Sequence, residues 1–265
     1  MTRALRRKLA ASGAGARPGF RLRGGEVTRL EGFTDAVFAF AVTLLVVSLE
    51  VPRSYDELMN VMRGFVAFAI CFAVLVSIWH EHFVFFRRYG LHDGPIVWLN
   101  AALLFVVLFY VYPLKFLFTL VINQVLLRLP SPEGSPTTPG QVRELFVVYG
   151  SGVIAVFAVL ALLYAYALKR RGELDLDRIE LFDTRASLTR NLLAAGVGVV
   201  SIAIALTVPD RMIGLAGYAY FLFAPVFALH GSMSGSRRRR LPAREAAERT
   251  PHADPLPARG EKEEA

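Results

Sequence analysis

The chain has 265 residues, is 54% hydrophobic with a mean hydropathy of +0.44, and carries a formal net charge of +8. Charge-free stretches such as Ala36–Leu49, Ile96–Leu114 and Leu145–Leu168 exclude an ordinary soluble domain, since a helix needs roughly 20 apolar residues to cross a bilayer. The single cysteine, Cys71, excludes an internal disulfide, and gathering of the positive charge into tails and alternate loops argues against a nucleic-acid partner.

Residues 1–28, rich in Gly, Ala and Arg and without the apolar run of a signal peptide, read as a disordered basic tail. A first helix is predicted over about 29–50, stopping at Val51-Pro52, and a second over 60–86, ending at Arg87-Arg88. The third starts at Pro95 and runs to about 123; the Pro- and Gly-rich stretch Pro130 to Gly140 is then a loop. A fourth helix covers 143–168, the charged segment Gly172 to Arg185 is a connector, and a fifth covers 187–208. Pro209-Asp210-Arg211 turns the chain into a sixth helix over 212–230, and 231–265 reads as a disordered charged tail. The organisation expected is therefore a tail, 1–28, a six-helix transmembrane domain, 29–230, and a second tail, 231–265.

Alternate sides of this arrangement differ in basic residues. Twenty-four of the thirty Lys and Arg fall on the side of the two tails, five (Arg53, Arg63, Arg128, Arg143 and Arg211) on the other, and Lys115 lies within the third helix. The positive-inside rule then predicts both termini in the cytoplasm of a multi-pass plasma-membrane protein. The run Arg237, Arg238, Arg239, Arg240 beside the last helix reads as a contact for anionic lipid heads.

Polar side chains inside an apolar bundle are where function concentrates. The first helix begins Arg29-Leu-Glu-Gly-Phe33-Thr34-Asp35, and Thr34 with Asp35 can complement the positive end of the helix dipole. At about 100° per residue, Asp35 sits about 140° around the helix from Phe40, which shares a stripe with Leu44 and Val47, with Thr43 beside it. Asp35 therefore faces neighbouring helices. The second helix supplies Trp79-His80-Glu81-His82 and the third Trp98-Leu99-Asn100, at a comparable depth, with donors suited to a buried carboxylate. Residues i and i+2 lie about 200° apart, so His80 and His82 cannot ligate one metal ion from one face. No catalytic cluster is apparent, which argues against an enzyme.

These residues carry a resemblance. Arg29-x-x-x-Phe33-Thr34-Asp35 with the apolar run to Pro52, Trp79-x-x-His82 and Trp98-Leu99-Asn100 are similar to the transmembrane protein 175 potassium channel family, over about residues 29–118. The resemblance implies an all-α channel of six transmembrane helices per unit, without the Thr-Val-Gly-Tyr-Gly filter of ordinary potassium channels, and that filter sequence is absent here. A single motif copy implies a homotetramer with the first helix lining the pore. It further implies a constriction at Phe40, Leu44 and Val47, a polar pore position at Thr43, and a supporting network of Arg29, Phe33, Thr34, Asp35, Trp79, His82 and Asn100. Thr34 stands where the family has Ser, and Phe40 where it usually has Ile or Leu, so four Phe rings would narrow the pore. The expected function is a leak-type potassium channel that needs no cofactor and has K+ as its permeant ion. A proton-permeable pathway titrating at Asp35 and His82, or a membrane transporter, are the alternatives.

Overall fold

Each apolar run becomes a helix whose ends are encoded by short-range hydrogen bonds. The computed structural model describes residues 20–47, 52–121, 136 and 138–249. Helix α1 is Arg29–Val47; Thr28 and Glu31 cap it reciprocally, the Glu31 amide donating to Thr28 Oγ1 (3.2 Å) and the Thr28 amide to Glu31 Oε2 (2.8 Å). Helix α2, Tyr55–Tyr89, starts at a Ser54 cap and stops at Gly90, whose φ of 60° suits a residue without Cβ. Helix α3 is Gly94–Val121, α4 is Pro139–Lys169 behind a Thr138–Gln141 capping box, and α5 is Arg178–Thr207 behind an Asp177–Glu180 box. A 3₁₀ turn (Asp210–Met212), the short α6 (Leu215–Tyr218) and a second 3₁₀ turn (Ala219–Leu222) lead into α7, Phe223–Arg249. Among the described residues, six segments are long and apolar enough to cross a membrane, the sixth being Asp210–Arg239.

The core joins the first four helices, with Leu188 of α5 packed against it. Phe38, Ala41 and Leu45 of α1 face inward with Cys71 and Phe85 of α2, Leu103 and Val107 of α3, and Leu160, Leu163 and Tyr164 of α4. The α4–α5 pair is drawn together at Gly150 and Gly198. A Cβ on Gly198 would lie 2.9 Å from the Gly150 carbonyl oxygen, so the two backbones touch without side chains between them. Ser201 of α5 donates to the Ala216 carbonyl (2.9 Å) and holds α6 against the pair. The α2–α3 connector, the α4–α5 connector and the C-terminal part of α7 gather at one end of the bundle, called here the basic end.

Three sequence expectations are corrected. The helices start earlier than their apolar runs, because caps at Ser54, Thr138 and Asp177 recruit polar first turns; Arg178 to Arg185 is thus helix, not connector. Residues 231–249 belong to α7 rather than to a disordered tail, the helix continuing without a break from the membrane-length segment. Residues 20–28 are likewise not a disordered tail: they lie across the basic end, with Phe20 buried edge-on against Tyr89 and the Arg23 and Gly24 amides donating to the Arg88 and Arg87 carbonyls. The expected tails at 1–19 and 250–265, and the loop around Pro130 to Gly134, lie outside the described residues.

Candidate functional site

Helix α1 has two faces of opposite character. Thr34, Phe38, Ala41 and Leu45 recur every three to four residues and are buried. On the other side Phe33, Ala36, Phe40, Thr43 and Val47 are exposed in the single chain, Phe40 at 56% and Val47 at 72%. Leu44 differs from its expected stripe-mates: it is half-buried at the edge of the exposed face and packs against the core. Thr43 Oγ1 donates to the Ala39 carbonyl (2.9 Å), so its proton is committed to its own helix and its lone pairs face outward.

The polar residues singled out from the sequence divide into two groups. In the first, the indole Nε1–H of Trp79 donates to Asp35 Oδ1 at 2.7 Å, joining α2 to α1 near the exposed surface. In the second, Thr34, Asn100 and His82 form a buried chain across α1, α3 and α2. Thr34 Oγ1 donates to the Leu30 carbonyl (2.8 Å), so it can only accept from Asn100 Nδ2 (2.8 Å). That fixes the Asn100 amide with Oδ1 toward His82 Nε2 (2.7 Å), which must therefore carry a proton. Four groups point one way: His82 to Asn100 to Thr34 to Leu30.

The expectation that Thr34 and Asp35 complement the start of the α1 dipole is thus replaced. Thr28 and Glu31 do that, while Thr34 and Asp35 each reach another helix. Arg29 and Phe33 lie on the outside of α1, Phe33 at 61% exposure, so these two signature residues face away from the buried chain. His80, Glu81 and His82 diverge: His80 is exposed, His82 meets Asn100, and Glu81 accepts from Tyr164 Oη (2.8 Å) and pairs with Arg190.

A second polar cluster escaped the sequence reading. Glu180, fully buried, receives Arg23 Nη2 at 2.7 Å and both the amide (2.8 Å) and Nη2 (3.1 Å) of Arg21. The Glu180 and then the Asp175 carboxylates push the Arg21 guanidinium above its ordinary value, so it stays charged throughout the accessible pH range. Beside it, Tyr89 and Thr184 share a 2.7 Å hydroxyl bond, and Arg238 meets Asp183 Oδ1 at 2.8 Å. One local signal, the Asp177-x-x-Glu180 capping spacing, marks the start of the helix that carries this cluster. Its cationic partners lie more than 50 residues away in the chain and leave no local trace.

Residues 29–110 match the family described as "Endosomal/lysosomal potassium channel TMEM175". A protein of Marivirga tractuosa named "Potassium channel" is 39% identical over 244 residues, covering 89% of this chain and 98% of that one. Among solved structures, the potassium channel MtTMEM175, a variant bound to a nanobody–MBP fusion, superposes with a TM-score of 0.74 at 38% identity, over 83% of this chain and 98% of the other. A lysosomal potassium-selective channel TMEM175 homolog from Chamaesiphon minutus superposes with a TM-score of 0.52 at 25% identity, over 76% and 95% of the two chains.

Proposed function

Because this chain belongs to the TMEM175 potassium channel family, we propose that it conducts potassium ions through a pore formed where the α1 helices of four copies meet. The observation that carries this reading is the exposed face of α1. Phe33, Phe40 and Val47 present large apolar surface that a lone subunit leaves uncovered, on the helix that holds the family's signature. Around a fourfold axis, Phe40 and Val47 form successive apolar rings about two turns apart, with Thr43 between them. Leu44, at the edge of the face, serves the seam between adjacent α1 helices and narrows the pore from behind.

Such a neck favours cations that shed water readily, and potassium does so at lower cost than sodium. Apolar rings return nothing for the lost hydration. The outward lone pairs of four Thr43 hydroxyls supply the missing oxygen ligands, since each hydroxyl proton is already engaged by Ala39. Asp35 has a structural part: its bond to Trp79 fixes the rotation of α1 and so the aim of Phe40. The basic end is assigned to the cytoplasm of the plasma membrane by the distribution of Lys and Arg. Arg237 and Arg239, exposed on α7, are assigned to anionic lipid heads, and Arg238 to Asp183. A proton pathway through Asp35 and His82 is less well supported, because Asp35 bonds to Trp79 whereas His82 bonds to Asn100.

The test is flux through liposomes holding the purified chain under a potassium gradient. Phe40→Ala is expected to raise potassium flux and Thr43→Val to lower the preference for potassium over sodium. Flux from Phe40→Ala and Thr43→Val indistinguishable from that of the unaltered chain would overturn the assignment of α1 to the pore.

A further inference from the structure

Between α2 and α3 on one side, and α4, α5 and α7 on the other, lies an open groove of about 1850 Å³. That exceeds the roughly 300–1,000 Å³ of a pocket for a small soluble ligand. Its walls along the bundle, among them Ile70, Leu114 and Val153, are apolar. From Val66 to Glu81 on α2 it extends about 22 Å at 1.5 Å per residue, longer than half of a hydrocarbon layer about 30 Å thick.

The polarity of the groove changes along its length. Glu81, Asp183, Arg190, His230 and Arg238 all line it, and all lie toward the basic end, close to where α2 ends, α5 begins and α7 leaves the membrane-length segment. Arg190 meets Glu81 through a single nitrogen, Nη2, and its side chain is 32% exposed. A guanidinium has five N–H donors in a planar fork suited to phosphate, so an anion seated here can share Arg190 without displacing the carboxylate. Arg237 and Arg239 add positive charge beside the same mouth.

We infer that this groove holds a membrane phospholipid of anionic headgroup, an acyl chain along the apolar walls and its phosphate at Arg190. A bilayer offers an amphiphile with this polarity, in this orientation and at this depth. The lipid bridges α2 to α5 and α7 and fills space that these helices leave open. This site is separate from the α1 face, so its failure would leave the conduction reading untouched.

The experiment uses the full chain in mild detergent, stripped of lipid and then offered palmitoyl-oleoyl phosphatidylglycerol or phosphatidylcholine, with adducts counted by native mass spectrometry. The unaltered chain is expected to keep one phosphatidylglycerol per subunit, with roughly fivefold preference over phosphatidylcholine, the scale of one arginine at a lipid head. Ala73→Trp and Ala186→Trp, which fill the groove from opposite walls, should each lose the adduct. The double variant Glu81→Gln/Arg190→Gln should keep lipid and lose the preference. The inference fails if the unaltered chain retains no phosphatidylglycerol, binds both lipids equally, or loses nothing in both Trp variants. It fails too if the groove-filling variants alter oligomer size while the unaltered chain takes up no lipid, which would assign the groove to a second copy.

Discussion

Replacing Asn100 by Leu tests the buried chain that orients α1. Leu has the branching and the side-chain heavy-atom count of Asn and is the larger of the two, so the substitution removes hydrogen bonds without opening a cavity. Two interhelical bonds disappear, from His82 to Asn100 and from Asn100 to Thr34, at 2.7 and 2.8 Å. Thr34 keeps its bond to the Leu30 carbonyl, whereas the His82 N–H, on a residue only 2% exposed, is left without a partner. In water-soluble proteins a stranded buried donor costs about 1–3 kcal/mol. Between membrane helices the measured average is nearer 0.6 kcal/mol per bond, with a maximum of about 1.7. Two bonds therefore predict a loss of about 1–3 kcal/mol, since α1 loses its link to α3, and α3 its link to α2. The assay is thermal loss of the assembled peak in fluorescence-detected size-exclusion chromatography, with Phe105→Leu on the exposed surface of α3 as control. Asn100→Leu should lose its peak several degrees below the unaltered chain and the control should not. Identical profiles for all three would refute the idea that this chain of bonds holds α1 in place.

Other expectations follow from packing and charge. Gly198→Ala places a methyl 2.9 Å from the Gly150 carbonyl, a backbone atom that cannot rotate away, and should cost about 1–3 kcal/mol in the same thermal assay. Ser201→Ala strands the Ala216 carbonyl and should cost about 1 kcal/mol, with no change in flux. Glu180→Gln removes the charge that Arg21 and Arg23 share, so trypsin should cut after these arginines markedly faster than in the unaltered chain.

The sequence was most legible where polar residues are rare. Within helices that are otherwise apolar, Asp35, Trp79, His82 and Asn100 stand out singly, and each does reach another helix. What could not be read was the pairing: angles place Asp35 on a face, but whether it meets Trp79 or Asn100 depends on how α2 and α3 are rotated against α1. Leu44 shows the same limit, since a stripe of three residues leaves open which edge of it is covered. Legibility failed where charge is dense. The stretch Arg178 to Arg185 has the composition of a solvated connector, yet Glu180, Asp183 and Thr184 are buried within α5. Their burial is compensated by Arg21, Arg23, Arg238 and Tyr89, all brought from distant segments, and neither periodicity nor hydropathy within a window contains that information. The α7 extension was missed for a related reason, as a run of arginines gives no apolar period to follow.

The segment from Phe20 to Gly25 has a mechanical consequence. It is pinned at one end to α2 and α5, and only three residues, Glu26 to Thr28, separate it from the first turn of α1. Three extended residues span at most about 11 Å, so the leash has little slack. Any outward swing of the start of α5 must either unseat the two arginines or tug on the end of the helix that presents Phe40. A fusion junction or cut placed just before Arg29, where the family similarity begins, would keep the whole signature and sever that leash.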